Sequence, residues 1–251
     1  MLKKLKELLR RDPEQFRIPR SVQEVIPIRT VWKSGIFLVG PNRYSRTWQF
    51  SDINYALAGE ENQKSMLLGY SGLLNLCDSN ASTKFSVVTR RLNRRDFEDY
   101  IMIPYANDGH DHYRREYNAM LLEKASHASG MIRDLYITVT VTRKSYKDAE
   151  NYFVRAGAEF TLALSRLGSR CTELDMMDRL RVLHGFYRYG EEADFHFDPA
   201  LSMKLGHSFQ DYICPDSFEF DRDHFRTGDR YGRVLFLKDY AAYLRDDILS
   251  E

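Results

Sequence analysis

The chain has 251 residues, of which 43% are hydrophobic and 29% charged, enough apolar content for one large core or two small ones. Its 37 basic and 36 acidic side chains nearly cancel to a net charge of +1, so no global field draws it to nucleic acid or anionic lipid. Cys77, Cys171 and Cys214 form no Cys-x-x-Cys pair, which argues against zinc-knuckle and thiol–disulfide chemistry and fits a reducing compartment.

The segment Met1 to Arg11, if helical, is amphipathic: Leu2, Leu5, Leu8 and Leu9 fall in one arc and Lys3, Lys4, Lys6, Glu7, Arg10 and Arg11 in the other. Such a basic helix can lie at a lipid headgroup boundary, fill a partner's groove or dock on its own domain. Its charges interrupt the apolar residues, unlike a secretory leader, and no uncharged run in the chain reaches the roughly 20 residues of a membrane span. Asp12-Pro13 ends the helix, and Pro13, Pro19 and Pro27 predict an extended linker over 13–33.

From residue 34 onward a folded region begins. Ile36–Val39 and Tyr44–Phe50 read as a hairpin around Gly40-Pro41-Asn42, followed by a helix over 63–77 with Met66, Tyr70, Leu73 and Leu74 at helical spacing. Gly69 and Gly72 would weaken that helix unless close packing requires them. Thr83–Thr89 predicts a strand, Asn93 a helix cap, and Asn107-Asp108-Gly109 a break before a second helix through Tyr113, Tyr117, Met120 and Leu121. Leu135, Ile137, Val139 and Val141 alternate with Tyr136, Thr138, Thr140 and Thr142, the clearest strand in the chain.

Ser145 with Asp148 then caps the longest helix, whose inner face runs Ala149, Tyr152, Phe153, Ala156, Phe160, Ala163, Leu164 and Leu167 up to Gly168. A strand at 171–174, a helix over 175–187 and strands at 195–197, 218–220 and 231–237 complete the reading, with Gly228-Asp229 as a turn. Strand pairs followed by single helices predict an α+β fold, with helices packed on a mainly antiparallel sheet. Strict βαβα alternation and a Gly-rich turn at a strand end are both missing, which excludes a doubly wound nucleotide fold.

Catalytic signatures are absent. None of the fourteen glycines precedes a lysine, so the phosphate-cradling loop G-x-x-x-x-G-K-[ST] is not present. Gly69-Tyr70-Ser71-Gly72 is not a nucleophile elbow. His110-Asp111-His112 lacks a third metal ligand at suitable spacing and reads as a loop entering a helix, with Asp111 as its cap. The strongest charge feature is Arg90-Arg91-Leu92-Asn93-Arg94-Arg95. Arg90, Arg91, Arg94 and Arg95 at a strand-to-helix junction could hold phosphates or carboxylates, although Asp96, Glu98 and Asp99 neutralise them locally. The alternative function is therefore a stand-alone nucleic-acid-binding module of a mobile element using this cluster.

Several longer strings are distinctive. They are Ile18-Pro19-Arg20-Ser21-Val22-Gln23-Glu24-Val25-Ile26-Pro27-Ile28-Arg29 with Trp32 and Gly35-Ile36-Phe37, then Arg90-Arg91-Leu92-Asn93 and Tyr113-Arg114-Arg115-Glu116-Tyr117-Asn118. Near the other end come His207-Ser208-Phe209, Tyr212-Ile213-Cys214-Pro215-Asp216 and Asp229-Arg230-Tyr231-Gly232-Arg233-Val234-Leu235-Phe236-Leu237. Over about residues 18–240 the chain resembles the amino-terminal domain of the CagE/TrbE/VirB-type conjugal-transfer ATPases, in the branch of Gram-positive integrative elements.

The resemblance implies a noncatalytic docking and assembly domain of a type IV secretion machine. ATP and Mg are then expected only in a RecA-like motor beyond Glu251, with the full-length protein an ATPase and this chain truncated before the motor. The partners implied are inner-membrane channel proteins, the chain's own motor domain and further copies in a homo-oligomer. The place implied is the cytoplasm at the inner face of the cell membrane, with peripheral membrane contact through Leu2, Leu5, Leu8 and Leu9. No cofactor, metal or catalytic residue is expected within the chain.

Overall fold

The computed structural model describes residues 19–78, 80–91, 102–127, 131–237 and 239. They divide between two compact units, Ile26–Ile213 and the terminal pair Met1–Val25 with Cys214–Glu251. Ile26 and Ile28 are buried and Thr30–Val31 forms a strand, so residues 26–33 belong to the larger unit.

The larger unit is built on a six-stranded sheet in which every strand pair is antiparallel. Its strands are β1 (Thr30–Val31), β2 (Phe37–Gly40), β3 (Arg43–Phe50), β4 (Ala81–Arg91), β5 (Met131–Thr142) and β6 (Cys171–Glu173), in the order β1-β2-β3-β5-β4. Strand β3 pairs along its whole length with β5. Its other edge is shared: β2 takes the first part, up to Phe37↔Ser45, and β6 takes the last, Trp48↔Glu173 to Phe50↔Cys171. The fold is α+β, with helices on an antiparallel sheet, as the sequence pattern predicts.

Alternation assigns the two faces. One face carries Tyr44, Trp48, Ile137, Val139 and Val141 and packs against α4 (Tyr146–Arg166), which contributes Ala149, Tyr152, Phe153, Ala156, Phe160 and Leu164. Trp48 sits edge-on to Phe160, with ring centroids 5.2 Å apart, and 6.2 Å from Phe153. Burying each of these large side chains is worth about 1.5–3 kcal/mol. Helix α4 starts where the sequence places it: the Ser145 hydroxyl accepts the Asp148 backbone N–H at 3.2 Å. Helix α2 (Glu60–Leu74) covers part of the same face, burying Leu73 and laying Tyr70 5.9 Å from the Phe85 ring. The two glycines of α2 differ. A Cβ on Gly69 would sit 2.7 Å from Leu167 Cδ2, whereas Gly72 faces open space, so only the first reflects close packing.

The opposite face carries Phe37, Ser45, Thr47, Gln49, Tyr136 and Thr138. It meets α5 (Met176–Tyr187), whose start is a reciprocal cap: Asp175 Oδ1 accepts the Asp178 N–H at 2.9 Å and Asp178 Oδ2 accepts the Asp175 N–H at 3.4 Å. Two short helices follow, α6 (Pro199–Leu205) and α7 (Phe209–Ile213). Residues 195–197, expected as a strand, are not one. Phe195 instead packs its ring 5.2 Å from His184 on α5, Phe197 lies 5.0 Å from Tyr212, and Asp198 accepts the Ala200 and Leu201 N–H groups to start α6.

Between β4 and β5 lies α3 (Asp111–His127). Asp111 is the first residue of this helix rather than its cap. Its carboxylate accepts the backbone N–H groups of Ala106 and Asn107, at 3.1 and 3.0 Å, closing the preceding loop. Asn118 is buried and pairs its side-chain amide with both the N–H and the C=O of Ile103, each at 2.9 Å, so it acts as a strand partner for that residue. The helix expected after Asn93 lies outside the described residues.

In the terminal unit, α1 (Val22–Val25) precedes the larger unit in sequence, and β7 (Phe218–Phe220), β8 (Phe225–Thr227) and β9 (Arg230–Gly232) form an antiparallel meander. The Gly228-Asp229 turn joins β8 to β9, with Gly228 at a φ of +56°. Strand β9 stops at Gly232. Val234–Leu237 has strand-forming side chains but no strand partner among the described residues.

Candidate functional site

The predicted interaction residues separate sharply. Leu2, Leu5, Leu8 and Leu9 lie outside the described residues, as do Arg94 and Arg95. Arg91 ends β4, paired in register with Met131. Arg90 is engaged: its Nε donates to Asp134 Oδ2 at 2.8 Å, and the other oxygen of Asp134 accepts Gln49 Nε2 at 3.3 Å. The pair links β4, β5 and β3 across the polar face, so Arg90 ties these strands together. The His110-Asp111-His112 stretch is likewise internally used. Arg114 binds both Asp108 and Asp111, holding both carboxyls below their usual range, while His112 leans on Tyr113 with centroids 3.8 Å apart. Among the described residues no group of His, Cys, Asp and Glu side chains is arranged to hold a metal.

Two buried arginines, not singled out by sequence reasoning, anchor the turn between β1 and β2. Arg179 on α5 donates from one terminal nitrogen to the carbonyls of Gly35 (2.7 Å) and Ser45 (2.8 Å), and from the other to Ser45 Oγ (3.1 Å). Its guanidinium carbon lies 3.9 Å from the Phe37 ring centre. Burial, with a smaller push from Arg46, brings its pKa down to about 9, which still leaves it cationic at neutral pH. Arg46 stands on the apolar face opposite Val139 and reaches the Ser34 carbonyl at 3.0 Å and Glu173 at 2.8 Å. Burial lowers its pKa against the opposing pull of Glu173. The turn they hold has no room for a side chain: Gly35 has a φ of +77°, and a Cβ there would collide with the Leu174 carbonyl oxygen. Arg46 did carry a sequence signal, since it occupies an inward position in the series Tyr44, Arg46, Trp48, Phe50.

The terminal unit has a shallow recess of about 220 Å³ lined by Glu219, Phe220, Asp221, His224, Arg226 and Tyr231. Small-molecule sites usually enclose roughly 300–1,000 Å³. Within it Arg226 pairs with Glu219 at 3.5 Å and donates to the Gly228 carbonyl at 2.8 Å, and His224 pairs with the neighbouring Asp223 at 2.9 Å. The lining holds no Ser, Thr or Cys side chain.

What the described surface does offer is apolar area. Leu57, Leu67, Leu68 and Leu74 are exposed on and before α2, the last three on its outer side, with Leu68 74% accessible. Tyr113 and Tyr117 are exposed on α3. In the terminal unit, Tyr231 and Val234–Leu237 are all exposed. No helix among the described residues is long and apolar enough to cross a membrane. No family model matches the chain, and no curated protein matches it.

Proposed function

We propose that the chain is the noncatalytic docking and assembly domain of a type IV secretion ATPase, coupling a motor to the inner-membrane components of a conjugation channel. The observation that carries this reading is the set of distinctive strings at 18–37 and 207–237. Its chemistry is consistent with the rest of the molecule: no glycine precedes a lysine, and buried cations are used as struts.

Under this reading the motor supplies ATP and Mg chemistry, and this domain supplies surfaces. The outer side of α2, with Leu67 and Leu68 adjacent and Gly72 open, offers a place for a partner helix to approach closely. Nucleic-acid binding through Arg90 is disfavoured by its bond to Asp134.

The test is mating frequency of an element whose conjugation ATPase carries Leu67→Glu and Leu68→Glu in this domain, scored beside the thermal unfolding of the purified chain. Both side chains are exposed, so folding is expected to hold while transfer falls. Undiminished transfer would overturn the reading, as would mutation-sensitive ATP turnover by the purified chain.

A further inference from the structure

The two edges of the six-stranded sheet are built differently. On one side the sheet ends in β1, only two residues long, the sort of blunted edge that prevents strand addition. On the other it ends in β4, eleven residues from Ala81 to Arg91, about twice the common strand length. Among the described residues no strand pairs with the outer edge of β4. Beside that edge Val87 is 62% exposed on the face that elsewhere packs against helices, while Phe85 on the same face is held between Phe50 and Tyr70.

We propose that β4 is a self-association seam, with two copies of the chain pairing antiparallel along it about a two-fold axis at Ser86. This register pairs the strand over its full length. An axis normal to the sheet keeps both apolar faces on one side, so residues of equal parity must stand opposite each other. Centred on Ser86, all eleven residues pair: Ala81 with Arg91, Ser82 with Arg90, Thr83 with Thr89, Lys84 with Val88 and Phe85 with Val87. No cation stands directly opposite another. Each exposed Val87 is covered by the partner's Phe85, and the Thr83–Thr89 pairs are of a kind that stabilises sheets. Moving the axis to Val87 would set Lys84 opposite Arg90, a like-charge pair on one face. This seam is independent of which channel or motor the domain serves.

The test combines sedimentation velocity with engineered cysteines in the full chain. Opposed residues in an antiparallel pair have Cα atoms about 4.5–5.5 Å apart, within disulfide range, so Ser86→Cys is expected to give a disulfide-linked dimer under mild oxidation. Ser82→Cys, exposed on the same strand but about 27 Å from its symmetry mate, is expected to give none. Val87→Asp, at an accessible position, is expected to weaken dimerisation about tenfold, with the unfolding midpoint unchanged at dilutions where the chain is monomeric. A chain that stays monomeric with Ser86→Cys unlinked would overturn the seam. So would a dimer that Ser86→Cys does not lock, or that Val87→Asp does not weaken.

Discussion

The β1–β3 half of the sheet and its β4 rim use the same antiparallel ladder for opposite purposes. In the first, helices cover both faces, Phe37 and Ile36 are fully buried, and even the cations Arg46 and Arg179 are drawn inside and matched to carbonyls. In the second, Ser82 and Lys84 are exposed on one face and Val87 on the other. The difference teaches that burial is concentrated around the β1–β3 half, while the described side chains of the rim are more exposed.

The largest effect should come from Arg179, the strut of the closed half. Arg179→Ala strands the Gly35 and Ser45 carbonyls and removes the stack on Phe37, and is expected to cost about 3–5 kcal/mol in denaturant unfolding. A loss below about 1 kcal/mol would break the contrast between the two halves.

His184 on the same helix gives a pH signature. It is buried with Nδ1 unpartnered, and burial holds its pKa below the ordinary 6.5, helped by Arg188 and opposed by Glu191, Glu192 and Asp194. The unfolded chain therefore binds the proton first as pH falls past 6.5. Stability should drop in that window, by at most about 1.4 kcal/mol per pH unit, and level off below the folded pKa. His184→Phe should flatten this part of a stability–pH profile.

A smaller change probes the cap of α5. Asp175→Ala removes the bond to the Asp178 N–H and is expected to cost about 1 kcal/mol by thermal melting. The smallest belongs to the rim: Lys84→Thr should move the unfolding free energy by no more than about 0.5 kcal/mol. A larger loss there would mean that β4 is held within the molecule after all.

The parts of the fold governed by local rules were legible. The alternation from Leu135 to Thr142 gave β5, and Ser145 with Asp148 gave the start of α4. Helix α6 was equally readable by rule, since Asp198 caps it, Pro199 opens it and Gly206 closes it at a φ of +73°, yet the aromatic residues at 195–197 suggest a strand more loudly. Their rings are taken by His184 and Tyr212, a tertiary choice that spacing does not reveal. The short strands escaped for the same reason: Thr30–Val31 is a strand because Phe37 and Leu38 lie beside it. Surface roles were least legible. Arg90 looks available in sequence because Asp134, its partner, is 44 residues away.

The divided outer edge of β3 bears on how the chain folds. Half of it waits for β2 nearby, but the other half is filled by residues 171–173, and β5 reaches β3 only after the whole excursion through α3. Few of the ladders can zip from a local turn, so loop-closure entropy must be spent before most pairs form. Refolding of the larger unit is therefore a slow collapse, on the order of milliseconds to seconds, in which the central strand is completed late by segments distant in sequence.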